Sequence, residues 1–217
     1  MSDIPHGKPS FVAADYENGV LRGLQVNEIL TGIYSWFAYS AEHRCELTSQ
    51  AVRHGVDFLV FDPIPLSAAV TDRFPPVPPS AVVLTNDNHE RAAVEWSQRF
   101  LIPVYGPAGS RMPIRGLREI LPGSSPFSGW EVHSLAGGAP NESAWLLPER
   151  SLAVFGDAVV NLPGRQLELL PAKYCENPAL LRTSVAHFAL RHFEHAVFAH
   201  GTPLLANASA KIAALIA

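Results

Sequence analysis

The stretch Ala81-Val82-Val83-Leu84-Thr85-Asn86-Asp87-Asn88-His89-Glu90-Arg91-Ala92-Ala93 decides how this chain is read. Four apolar residues run into Thr85, a dense set of polar and ionisable side chains follows, and helical spacing then begins with Ala92, Ala93, Trp96 and Phe100. A short apolar run bounded by such a cluster reads as a buried strand. Open α/β sheets place their binding sites at the carboxyl ends of strands, so residues 85–91 are the first place to look for chemistry. A helix over 89–100 would put Glu90 in its first turn, where the helix dipole favours an acid.

Upstream, Phe58-Leu59-Val60-Phe61 is a second buried strand that ends at Asp62-Pro63, with a short helix expected over 66–74. Segments 20–30, 32–39, 45–50 and 57–61 have the alternation and aromatic content of strands, with His54-Gly55-Val56 at a turn. Adjacent strands of this kind join as antiparallel hairpins. The aromatic group Tyr34, Trp36, Phe37 and Tyr39 reads as core and sheet face. Downstream, 102–105 reads as a strand and 114–121 as a short amphipathic helix stopped by Pro122-Gly123. Strand followed by helix, twice, is an α/β pattern. The second half repeats the order. Strands are expected at 130–135, 143–147 and 152–155, then a looser segment over 161–176. A helix over 179–192, a strand over 195–199 and an Ala-rich helix over 204–216 complete the chain.

The chain has 217 residues and is 47% hydrophobic, enough for one sizeable core. We read residues 1–19 as an arm and 20–217 as one domain. A net charge of −4 argues against a nucleic-acid partner, which needs a concentrated basic face. No window reaches the ~20 apolar residues of a membrane span. Residues 1–10 have no apolar run behind a basic start, so no signal peptide is expected. Cys45 and Cys175 stand apart, as reduced thiols of a cytoplasmic protein would. Neither a Gly-x-Ser-x-Gly elbow nor a Gly-x-x-x-x-Gly-Lys loop occurs.

Four separated points carry a family resemblance. The run from Thr85 to Arg91 resembles the Thr-His-x-His-x-Asp-His motif of the metallo-β-lactamase superfamily. Gly137-Gly138-Ala139-Pro140 resembles its Gly-His-Thr-Pro turn, Gly156-Asp157 its Gly-Asp pair, and His200-Gly201 its final Gly-His-Gly motif. The resemblance covers 20–217 and implies a four-layer αββα sandwich, two mixed sheets face to face with helices outside.

It also implies a zinc centre, and here the sequence departs from the pattern. The three histidine positions of one zinc are Asn86, Asn88 and Gly138, and zinc prefers imidazole, thiolate or carboxylate. A binuclear zinc centre is therefore not expected. Glu90, Asp157 and His200 remain as ligands for one divalent metal such as zinc, but Arg91 brings a permanent cation to the same place. Two functions are open. One is a metal-dependent hydrolase of an ester, thioester or lactone, weakened by its degenerate site, with Asp157, His200, Glu90 and Arg91 as the catalytic set. The other is a silent relative that binds a small molecule. There Arg91 would take the metal position, pair with Asp157 or Glu90, and attract an acidic ligand. Asn86, Asn88, His89 and Asp62 would line the pocket, with His89 pointing away from the ligand positions.

Overall fold

The computed structural model describes residues 15–17, 20–23, 25–67, 70, 74 and 77–217. A small hairpin of β1 (Asp15–Glu17) and β2 (Val20–Arg22) comes first. Seven strands then form one sheet in chain order: β3 (Asn27–Leu30), β4 (Ile33–Ser40), β5 (Cys45–His54), β6 (Asp57–Phe61), β7 (Ala81–Val83), β8 (Val104–Pro107) and β9 (Arg118–Ile120). Pairing is antiparallel from β3 to β6 and parallel from β6 to β9. Short turns permit the first mode, and the second needs crossovers, of which helix α1 (Ala93–Phe100) is one.

The second sheet begins with β10 (Glu131–Ser134), β11 (Ser143–Leu147) and β12 (Leu152–Phe155), all antiparallel. A two-stranded pair, β13 (Val159–Val160) and β14 (Glu168–Leu169), precedes helix α2 (Pro178–Ala189). Strand β15 (His195–Phe198) then lies parallel to β12, and helix α3 (Ala208–Ala214) follows. Asn177 caps α2 by accepting the Leu180 N–H at 3.1 Å, and Pro178 follows it in the first turn, where its missing N–H costs nothing.

Strand alternation sorts the apolar residues into three layers. Leu59, Phe61, Ala81 and Val83 of the first sheet meet Trp145, Leu152, Val154 and Val197 of the second. Their neighbours Phe58, Val60, Val82 and Leu84 turn outward to Ala93 and Trp96 of α1. On the far side Ala153, Phe155, Ala196 and Phe198 pack under α2 and α3. Trp36 stacks on Trp96 at 5.5 Å, and Phe155 meets Phe188 edge-on at 5.2 Å. The molecule is thus the αββα sandwich expected from the sequence.

Several boundaries differ from expectation. Residues 114–121 contain no helix. Gly116 takes φ +79 between Pro113 and Pro122, which interrupts helical geometry, and Arg118–Ile120 joins the sheet as β9. The segment 161–176 contributes β14 and a 3-10 turn, Ala172–Tyr174. Helix α1 starts at Ala93 rather than 89, because Arg91 holds φ +38. Of the expected arm, Asp15–Glu17 is a strand and all of the rest lies outside the described residues, as does most of the expected helix over 66–74.

Trp145 is 1% exposed between the sheets, in ring contact with Phe61, Phe127 and Trp130. Trp145→Ala should cost about 3–5 kcal/mol through the cavity it leaves. Urea unfolding checks this, and a loss below ~1 kcal/mol would mean that the two sheets do not share this core.

Candidate functional site

Four strand ends meet at one edge of the sandwich. Asp62 follows β6, Thr85 follows β7 closely, Gly156-Asp157 follows β12 and Ala199-His200 follows β15. Strand β5 closes the edge between the sheets. The Thr48 N–H donates to the Ala199 carbonyl at 2.8 Å, and the Gln50 amide donates to the Phe198 carbonyl at 2.6 Å. The result is a cleft of about 1490 Å3 whose lining includes Cys45, His89, Arg91, Asp157 and His200.

A chain of polar contacts crosses the cleft floor. The buried Asp62 carboxylate accepts the Thr85 N–H at 2.9 Å and the Thr85 hydroxyl at 2.6 Å. His89 Nδ1 lies 3.0 Å from Asp62 Oδ2, and its Nε2 lies 3.1 Å from Asp157 Oδ1. The same Asp157 oxygen is 3.0 Å from His200 Nε2, and His200 Nδ1 is 2.9 Å from the Glu46 carbonyl. Each imidazole therefore faces an acceptor at both nitrogens, an arrangement that suits the doubly protonated ring.

The electrostatics agree with that assignment. Burial alone would lower His89 and raise Asp62. The Asp157 and Asp62 charges outweigh both burial and the repelling Arg91, and hold His89 above its ordinary value. For Asp62, the charge and hydrogen bond of His89, then Arg91 and Thr85, overcome burial and hold the carboxyl low. Burial likewise works against His200, but its bonds to Asp157 and Cys45 raise it. Asp157 resists burial through His89 and His200 and stays well below the usual carboxylate range.

Arg91 sits at the centre of this network. Its Nη1 donates to the Thr48 carbonyl at 2.9 Å and the Asp62 carbonyl at 3.0 Å, and its Nη2 to the Ala199 carbonyl at 3.2 Å. Nη2 also lies 3.3 Å from His89 Nε2 and 3.4 Å from His200 Nε2. One guanidinium thus joins β5, β6 and β15, and hence both sheets. Burial lowers the Arg91 pKa, opposed by the charges of Asp62, Asp157 and Cys45. An arginine stays protonated regardless.

Asn86 and Glu142 complete the floor. The Asn86 amide donates to Glu142 Oε2 at 2.7 Å and to Asp157 Oδ2 at 3.2 Å, while the Ala158 N–H donates to Glu142 Oε1 at 3.1 Å. Burial and the neighbouring Asp157 push Glu142 well above the ordinary carboxyl value. Its stem fills space beside Gly138, where a Cβ would lie 2.9 Å from Glu142 Cγ. A Cβ on Gly156 would overlap Thr85 Oγ1 and Glu142 Oε1, so glycine there is required by the close approach.

The family model described as the metallo-beta-lactamase superfamily matches residues 29–217. The chain belongs to the metallo-β-lactamase superfamily. Among solved structures, DIM-1 metallo-β-lactamase exposed to ceftazidime superposes with a TM-score of 0.72 at 13% identity, covering 91% of this chain and 97% of its own. FIM-1 from Pseudomonas aeruginosa, in a mono-zinc form, gives 0.70 at 16% identity, covering 90% and 95%. A metallo-β-lactamase from Erythrobacter litoralis gives 0.67 at 14% identity, covering 94% of each chain. At such identities the likeness is one of fold. No curated protein sequence matches the chain.

Within this superfamily frame the residues fall out as follows. Asp157, His200, Arg91, Asn86 and Asp62 converge at the floor. His89 does too, which corrects the expectation that it points away. The left-handed turn at Arg91 delays the helix and lets His89 and Arg91, two residues apart, enter the same cluster. Glu90 between them takes part in none of the cluster's side-chain contacts among the described residues, and Arg91 forms no ion pair with Glu90 or Asp157 there. Asn88 is exposed on the cleft lining, and its N–H donates to Asn86 Oδ1 at 2.9 Å. Glu142 was not singled out in the sequence. Its signal there was an acid placed directly before the apolar strand Ser143–Leu147.

These residues do not fit a binuclear zinc centre: Gly138 offers nothing, Asn88 faces outward, and Asn86 is committed to two carboxyl groups. Nor does the mononuclear set of Glu90, Asp157 and His200 assemble. His89, Asp157 and His200 do converge, with candidate ligand atoms within 4.8 Å of one another, but Arg91 Nη2 crowds both imidazoles.

Two outcomes follow. Replacing Arg91 by Ala should cost roughly 2–4 kcal/mol in chemical unfolding, since three carbonyls lose a charged donor. Arg91→Lys should recover only part, because a point-like ammonium cannot reach all three at once. Second, His89 and His200 are raised above 6.5 in the fold, so their stabilisation is complete below that pH and is lost as pH rises through the folded values. The melting temperature should fall as pH rises above about 6.5, and His89→Gln should flatten that fall.

Proposed function

We propose that this superfamily member works without zinc, as a small-molecule-binding protein of hydrolase ancestry whose cleft floor is a metal-free polar centre. The observation that carries the reading is the Arg91 guanidinium, seated 3.3 and 3.4 Å from the two imidazole nitrogens that face Asp157. A cation tethered there repels a divalent ion and fills its place. Because Nη1 and Nη2 are spent on backbone carbonyls, Arg91 supports the floor rather than grasping a ligand directly.

The walls describe the ligand. Arg44, Arg165 and Lys173 stand against Glu42, Glu46 and Glu168, so the cleft has no dominant sign of charge. Phe37, Tyr39 and Tyr174 line it while 39%, 48% and 59% exposed. Exposed aromatic rings of this kind suit a ligand with an apolar portion.

Metal analysis by inductively coupled plasma mass spectrometry tests the reading. Wild-type protein incubated with zinc and desalted should retain roughly 0.1 equivalent or less, and Arg91→Ala should take up about one equivalent through His89, Asp157 and His200, as a 2-His-1-carboxylate set can. Near-stoichiometric zinc, iron or manganese in the wild type, lost in Asp157→Ala/His200→Ala, would overturn it. That result would instead support a mononuclear hydrolase, the reading favoured by the convergence of those three side chains.

A further inference from the structure

Cys45 opens β5 at the lip of the cleft, and its half-buried Sγ lies 3.6 Å from His200 Nδ1, which also meets the Glu46 carbonyl at 2.9 Å. The other nitrogen of that ring is held by Asp157 at 3.0 Å, and Asp157 is itself held by His89 at 3.1 Å and Asn86 at 3.2 Å. A thiol within reach of an imidazole, with that imidazole oriented by a carboxylate, is the arrangement that activates a nucleophile.

We propose that Cys45, His200 and Asp157 form a metal-independent nucleophilic triad that accepts an acyl group from a thioester or ester in the cleft. It rests on the metal-free reading of the floor, because a metal held by His200 and Asp157 would withdraw both from Cys45. Cys45 is the nucleophile, His200 carries the proton, and Asp157 is the positioning residue. Sγ attacks the carbonyl carbon of R–C(=O)–X–R′, where X is sulfur or oxygen. Sulfur enters as the thiolate paired with the His200 imidazolium; the S–C bond forms, the C–X bond breaks, and the imidazolium proton passes to X. Water then attacks the S-acyl carbon, an O–C bond forms as S–C breaks, and one water proton goes to His200, which restores the thiolate–imidazolium pair. The sum is R–C(=O)–X–R′ plus water giving the acid and HX–R′, with no oxidant or cofactor. The aromatic side chains of Phe37, Tyr39 and Tyr174 suit an apolar acyl chain.

The second cysteine is an internal control. Cys175 Sγ donates to the Leu170 carbonyl at 3.3 Å and the Pro171 carbonyl at 3.6 Å, and no imidazole partners it among the described residues. Full-length protein treated with a chelator is mixed with phenyl thioacetate, and separately with p-nitrophenyl acetate. Intact-mass spectrometry with peptide mapping then follows acetylation. The expected result is one acetyl group per chain, on Cys45, unchanged in Cys175→Ser and absent in Cys45→Ala. His200→Gln and Asp157→Asn, shown to be folded by circular dichroism, should slow acylation roughly 100-fold. Acylation of Cys45 no faster than of Cys175, or indifferent to His200→Gln, would overturn the triad while leaving the metal-free floor intact. Hydrolysis abolished by the chelator but retained in Cys45→Ala would overturn both.

Discussion

The guanidinium of Arg91 reaches the carbonyls of Thr48, Asp62 and Ala199 at 2.9 to 3.2 Å, and those three residues belong to both halves of the sandwich. Strand ends leave carbonyls with no partner in the ladder, and buried carbonyls without donors are costly. A planar cation with five N–H groups can serve several at once from one side chain. It also differs from a metal ion in a basic way. A metal must be acquired and can be lost, whereas this cation is covalent and is present as soon as the chain folds.

Around that fixed charge, the two carboxylates Asp62 and Asp157 and the rings of His89 and His200 form one continuous system. Asp157 is its hub, with His89 and His200 on one oxygen and Asn86 on the other. Burying so many ionisable groups is tolerable only when each is partnered, and the directions of their titration show that they are. Glu142 is the exception in sign. Next to the ionised Asp157 it is driven toward the neutral acid, which spares the floor another negative charge.

Much of the architecture was legible because strand alternation is a local property. Phe58 to Phe61 and Leu152 to Phe155 show it residue by residue, and the layers they pack against follow from it. The site was legible as a place but not in its membership. His89 was misplaced because one positive φ, at Arg91, shifts where the helix starts, and no residue type announces it. Glu90 was credited with a role that its neighbour holds. Glu142 was missed because it occupies space opened by Gly138, four positions earlier, and such volume exchange across a turn leaves no periodic mark. Cys45 reads in the sequence as an ordinary reduced thiol because its imidazole neighbour lies 155 residues away.

The close approach of Gly138 and Glu142 limits which substitutions either position tolerates. Placing a histidine at 138 by itself drives its Cβ against the Glu142 stem. Trimming Glu142 by itself strips acceptors from Asn86 and the Ala158 N–H. Neither single change is neutral, and only the steric conflict is relieved when both are made together. The two positions are therefore coupled, and a substitution at either one is felt at the other through the volume they share.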